Sequence, residues 1–210
     1  MLPERELARV LKRVRLVRVD GPFHRFADLW FVHQRLAARR KTEFLRGFGA
    51  KMNGGRFTPR DAFETLYVAT TAETARIEAE SRLTVSGVIN SPTKPYVHFM
   101  VKGRLQRVLD LTDDSVLRAL QTTTDHISAP WVMDQVQGRE ALTQLLGRMV
   151  HAATRIEAIL FASSKDRPYG RCLAIFPDRL RRGSALEIVD DTGLAGCGKR
   201  IFNPETIELQ

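Results

Sequence analysis

The chain has 210 residues, 43% of them apolar and 27% charged, which is enough for one well-buried core and short for two. It holds no run of about 18 apolar residues able to span a bilayer. Nor does Met1-Leu2-Pro3-Glu4-Arg5-Glu6 lead into the apolar stretch of a secretory signal, so the expected compartment is the cytoplasm, with no membrane partner. The formal charge of +9 is uneven: residues 1–60 carry 15 basic against 5 acidic side chains, a net +10, which leaves −1 for the rest. A summed positive field of this kind attracts any polyanion, whether nucleic acid, a dinucleotide or an acidic protein, and does not choose among them.

In chain order, residues 3–19 read as a basic amphipathic helix running into a short strand. Leu7, Val10, Leu11, Val14 and Leu16 follow a helical spacing, with Arg9, Lys12, Arg13 and Arg15 between them on a solvated face. Gly21-Pro22 breaks the pattern. Residues 25–47 place Phe26, Leu29, Trp30, Val32, Leu36 and Phe44 at helical intervals around the cluster Arg39-Arg40-Lys41, which predicts one or two helices. The stretch from Gly47 to Gly55 loses all periodicity and reads as a glycine-rich loop.

Beyond the loop, Thr65-Leu66-Tyr67-Val68-Ala69 reads as a short buried strand, and Thr70 or Thr71 can cap a helix running through Ala75 and Glu78 to about Leu83. Further strands are expected at 84–89, 105–111, 158–162, 171–176 and 186–189, with helices at 114–122 and 139–153. Strands and helices mix without strict alternation, which predicts an α+β fold: one domain with a mixed β-sheet core flanked by helices. Residues 1–22 are taken as a basic N-terminal extension and 23–210 as the main domain.

Cys172 and Cys197 read as unpaired thiols, and the histidines are scattered singly without metal-ligand spacing, so no metal is expected. Gly193-Leu194-Ala195-Gly196-Cys197-Gly198-Lys199 has the glycine and lysine spacing of a phosphate-binding P-loop. It lacks the following Ser or Thr and the helix whose N-terminal amides would face phosphate, and reads as a surface turn.

Gly54-Gly55-Arg56-Phe57-Thr58-Pro59, then Leu66-Tyr67-Val68-Ala69 and Glu78, resemble the signature of the RES-domain family, named for its Arg, Glu and Ser. Arg56, Tyr67 and Glu78 are separated by two equal steps of eleven residues. Arg107 to Asp113, a helix with Thr143-Gln144, and Leu160-Phe161-Ala162-Ser163-Ser164 ahead of Leu173 to Pro177 agree with the resemblance, which covers about residues 23–180. Phe57 and Thr58 depart from it, standing where the family usually has Trp and Asn.

The resemblance implies a fold similar to the ADP-ribosyltransferases and cleavage of the nicotinamide–ribose bond of NAD⁺. It further implies a toxin held silent by a cognate antitoxin, with ADP-ribose passed to a cellular protein, to water or to phosphate. Glu78 is then the catalytic carboxylate, and Arg56 grips phosphate oxygens while Gly55 allows close backbone approach. Tyr67 offers a flat ring to nicotinamide, with its hydroxyl free for a polar contact. Arg25 matches the family's earlier arginine, which also grips the dinucleotide. The family serine falls in the Ser163-Ser164 pair; counting back from Phe176 favours Ser164, and either hydroxyl can bond ribose, phosphate or the carboxylate. The rival reading is a basic nucleic-acid-binding module without enzymatic activity. It rests on the net charge and on the Arg39-Arg40-Lys41 cluster, and finds no zinc spacing, aromatic RNA-binding signature or clear helix-turn-helix in the sequence.

Overall fold

The computed structural model describes residues 1–29, 44–81, 96–168 and 170–189, together with the backbone of 201–202. Helix α1 (Glu4–Leu11) buries Leu7 and Leu11, one turn apart, and leaves Arg5 and Arg9 exposed. Each fully buried leucine contributes about 1.5–3 kcal/mol, so this helix is held by its apolar stripe. The exposed bridges from Arg148 to Glu4 and Glu140 add at most about 1 kcal/mol each.

Strands β1 (Val17–Asp20) and β2 (Phe23–Asp28) run in succession antiparallel to the long β4 (Tyr96–Asp110). The helix expected over 25–47 is therefore corrected at its start, where six cross-strand pairs from Phe23↔Val101 to Asp28↔Tyr96 hold an extended backbone. Pairing on both sides of β2 overrides a local pattern that also fits a helix. Residues 30–43 of that expectation, including Arg39-Arg40-Lys41, lie outside the described residues, as do the strand at 84–89 and the glycine-rich segment 193–199.

The expected loop from Gly47 to Gly55 contains helix α2 (Phe48–Asn53) between Gly47 as N-cap and Gly54 as C-cap. Its helix-forming Ala50, Lys51 and Met52 suffice for one turn and a half, although it buries no side chain. Strand β3 (Leu66–Ala69) leads into α3 (Ala72–Glu80), and Thr71 is the residue that caps it, accepting from the Thr74 N–H at 3.1 Å. Helices α4 (Asp114–Ala119), α5 (Thr124–Ser128), α6 (Val132–Val136) and α7 (Leu142–Ala152) follow β4, ahead of β5 (Ala158–Ala162), β6 (Arg171–Ile175), β7 (Ala185–Val189) and β8 (Ile201–Phe202).

The strands join in the order β2-β3-β6-β5-β4-β7-β8. β2 also pairs with β4, which draws β2, β3, β6, β5 and β4 into a closed ring. β4 with β5 is a parallel pair in an otherwise antiparallel arrangement. Alternation along each strand sends Leu66, Val68, Leu173 and Ile175 to one face, where they pack with Phe23, Leu105 and Leu186. The other face, with Tyr67, Ala69, Cys172 and Ala174, is covered by α1, α4, α5 and α7 through Leu11, Leu117, Ile127 and Leu146. The expected α+β class with one mixed sheet is what the chain adopts.

Candidate active site

The site is assembled at the end of the sheet where β3 and β5 both finish. Glu78 sits half-buried on α3, beside the buried Ala75 and Ala79 that press this helix onto the sheet. Ser163, which follows β5 directly and is 1% exposed, donates from Oγ to Glu78 Oε1 at 2.6 Å. The same Oγ accepts the N–H groups of Lys165 at 3.1 Å and Asp166 at 2.9 Å. A hydroxyl has one proton and two lone pairs. Both lone pairs are taken by backbone, so the proton is committed to the carboxylate.

Arg56 reaches the same place from the loop after α2. Its Nη2 donates to Ser164 Oγ at 3.0 Å, and its Nη1 donates to the carbonyls of Ile127 at 2.7 Å and Ala129 at 2.9 Å. Burial pulls its pKa below the ordinary guanidinium value, the Glu78 charge pushes it back up, and the nearby Arg167 adds to the lowering. The two serines thus divide the work: Ser163 serves Glu78 and Ser164 serves Arg56.

Tyr67 on β3 packs its ring at the helix-covered face. Its hydroxyl, expected to be free, accepts from the Phe57 N–H at 2.8 Å and lies 2.9 Å from Thr58 Oγ1. Thr58 spends its own proton on Thr65 Oγ1 at 2.8 Å, so Tyr67 is the donor in the contact with Thr58. The hydroxyl ties down the turn after Arg56. Gly55 belongs to this arrangement, because a Cβ there would stand 2.7 Å from the Tyr67 hydroxyl. Its lack of a side chain serves protein packing at that point.

Gln144 has a structural role that the sequence alone does not disclose. It is 2% exposed on the inward stripe of α7, and its Nε2 lies within hydrogen-bond reach of Gly55 O, Thr58 O and Gln135 Oε1. Its Oε1 accepts the Ala141 N–H. The readable signal is an amide among Thr143, Leu146, Gly147 and Val150 on a buried helix face. Asp166, which joins Thr74 Oγ1 at 2.6 Å and so ties the serine loop to the Glu78 helix, is equally silent in sequence.

Arg25 is set apart from this cluster. His24 pairs with Ala69, so period-two alternation puts Arg25 on the opposite face of the sheet from Tyr67 and Ala69, the face that carries Phe23 and Val68. His24 and His98, 74 residues apart in a chain whose histidines look scattered, meet with Nδ1 and Nε2 3.0 Å apart.

Comparison with known proteins settles the family. The family model for the RES domain matches residues 11–195. The chain belongs to the RES domain family. Within this RES domain Arg56, Glu78 and the Ser163-Ser164 pair come from three separate segments, tied together by the Arg56–Ser164 and Ser163–Glu78 hydrogen bonds. No curated protein matches the chain. Among solved structures it is similar to the toxin of the M. tuberculosis MbcT-MbcA toxin-antitoxin complex, with a TM-score of 0.61 and 18% identity over 88% of this chain and 90% of that one. That likeness establishes a shared fold.

Proposed function

We propose that this RES domain is the toxin of a toxin–antitoxin pair and cleaves the nicotinamide–ribose bond of NAD⁺ in the cytoplasm. ADP-ribose passes to a cellular protein, to water or to phosphate. The observation that carries the reading is the 2.6 Å contact between Ser163 Oγ and Glu78 Oε1, with Arg56 bonded to the next residue along.

The chemistry asks for such a set. Nicotinamide in NAD⁺ is already cationic and leaves neutral, so no acid is needed to protonate it and one carboxylate suffices. Positive charge grows on the ribose as the bond lengthens, and a carboxylate held at fixed orientation in a partly dry site stabilises that state above the ground state. Glu78 is that carboxylate, and Ser163 holds its orientation. Arg56 provides a positive field on the phosphate side, steadied by Ser164, and Tyr67 offers its ring to the nicotinamide. A cognate antitoxin as partner is supported by the family and by the complex in which the structural neighbour was found.

The test is release of free nicotinamide from NAD⁺ by the purified chain, with and without phosphate and cell lysate, beside Glu78→Gln and Arg56→Ala. Release that Glu78→Gln abolishes supports the reading, and its dependence on phosphate or lysate identifies the acceptor. Absence of release above the Glu78→Gln background in every condition sinks it.

A further inference from the structure

Arg56 has little left to offer a ligand. A guanidinium carries five N–H donors, two of them on Nη1. Two donors of Nη1 are spent on Ile127 O and Ala129 O, and one of Nη2 on Ser164. The group acts as a brace between the end of α5 and the loop after β5, and at most two donors remain for anything else.

Arg167 is in the opposite condition. It stands in that same loop, three residues beyond Ser164, exposed and with no hydrogen bond or ion pair among the described residues. Ser164, three residues before it in this loop, is the acceptor of Arg56 Nη2 at 3.0 Å. The backbone around it is held firmly: Asp166 accepts from Thr74 Oγ1 at 2.6 Å and donates its N–H to Ser163 Oγ at 2.9 Å, and its carbonyl accepts the Gly170 N–H at 2.8 Å. Arg167 thus carries a full set of unused donors on an anchored loop, in the same loop as the serine that Arg56 holds. A ligand with anionic oxygens takes up those donors.

We propose that Arg167 is the residue that grips the pyrophosphate of the dinucleotide, its fork facing two phosphoryl oxygens while Arg56 holds the site together and adds its field. This rests on the NAD⁺ reading given above. It assigns a direct ligand contact to a residue outside the motif arginine, glutamate and serine.

The test is titration calorimetry of the full chain with ADP-ribose and, separately, with inorganic phosphate, together with steady-state kinetics on NAD⁺. Wild type is compared with Arg167→Ala, Arg167→Lys and Arg182→Ala. Arg182 is an exposed arginine in the turn before β7, near the start of β5 and away from Ser163, and controls for net charge. Loss of one charge-assisted contact predicts that Arg167→Ala weakens ADP-ribose about 10- to 100-fold. KM for NAD⁺ should rise to match, with kcat within about threefold. Arg167→Lys should recover part of the loss, Arg182→Ala should match wild type, and melting temperatures should stay level.

Wild-type affinity for ADP-ribose in Arg167→Ala overturns the proposal. So does an equal loss in Arg182→Ala, which would indicate bulk charge, or a loss confined to inorganic phosphate, which would assign the cation to a free anion. Failure of the NAD⁺ reading looks different: the wild-type chain itself binds no ADP-ribose and releases no nicotinamide.

Discussion

The Ser163 hydroxyl and the Glu78 carboxylate meet at 2.6 Å across 85 residues of sequence, and the direction of the bond is set because two backbone N–H groups occupy the serine's lone pairs. The neighbouring Ser164 takes no part in this and accepts from Arg56.

The two serines therefore separate kinetically. Ser163→Ala removes the donor to the carboxylate and strands two N–H groups. A hydrogen bond to a charged group contributes about 1.5–3 kcal/mol, so kcat for nicotinamide release is expected to fall about 10- to 100-fold. Ser164→Ala loosens the arginine, and its main effect falls on KM. Steady-state kinetics on both variants checks this, and identical profiles would contradict the division.

Tyr67→Phe keeps the ring and deletes the hydroxyl that serves the Phe57 N–H and Thr58 Oγ1. Leaving such groups unsatisfied costs about 1–3 kcal/mol. Urea denaturation should show that loss with an unchanged slope against denaturant. A midpoint equal to wild type would mean that water replaces the hydroxyl freely.

Glu157 is fully buried at the start of β5, and its two carboxylate oxygens accept from Gln106 N, Arg107 N, Arg181 N and Ser184 Oγ. Gln106 and Arg107 lie where β4 bulges against β1, between the pairs Val17↔Val108 and Val19↔Leu105, so the carboxylate satisfies amides that the strand partner leaves over. Glu157→Gln turns a donor toward other donors and is expected to cost about 2–4 kcal/mol. Activity per folded molecule should persist, because Ser163 is at the other end of β5. Denaturation and kinetics on one preparation check both halves.

Acid should destabilise the fold through His24. Burial first and the neighbouring His98 second lower its pKa from the ordinary value of 6.5. The folded chain then holds fewer protons on this ring than the unfolded chain, so its contribution is present above about pH 6.5 and is lost as pH falls through the lowered folded value. Midpoints of denaturation should therefore drop as pH falls below about 6.5 in wild type, and His24→Gln should flatten that slope. Equal slopes in the two chains would refute the assignment.

Local pattern made some of this legible. The strand at Leu66–Ala69, the threonine cap and the helix bearing Glu78 could be read because alternation, capping and helical spacing act within a dozen residues. The Arg56, Tyr67 and Glu78 motif was legible as a family resemblance. The strand Phe23–Asp28 was not, since its residues also fit a helix and only β4 decides for extension. The α2 turn was hidden by its glycines, which cap it without filling it.

The sequence by itself determined the class of fold, the basic first quarter and the residue types available for chemistry, because composition, periodicity and short motifs are local properties. Only the tertiary structure decided which hydroxyl faces Glu78, that the Tyr67 hydroxyl is spent on the turn after Arg56, that Gln144 braces that turn, and that Arg25 and Tyr67 lie on opposite faces of the sheet. Each of these depends on a hydrogen-bond partner or a strand register supplied from far along the chain, and a polar side chain carries no mark of the partner it will find until the backbone has brought one within about 3 Å.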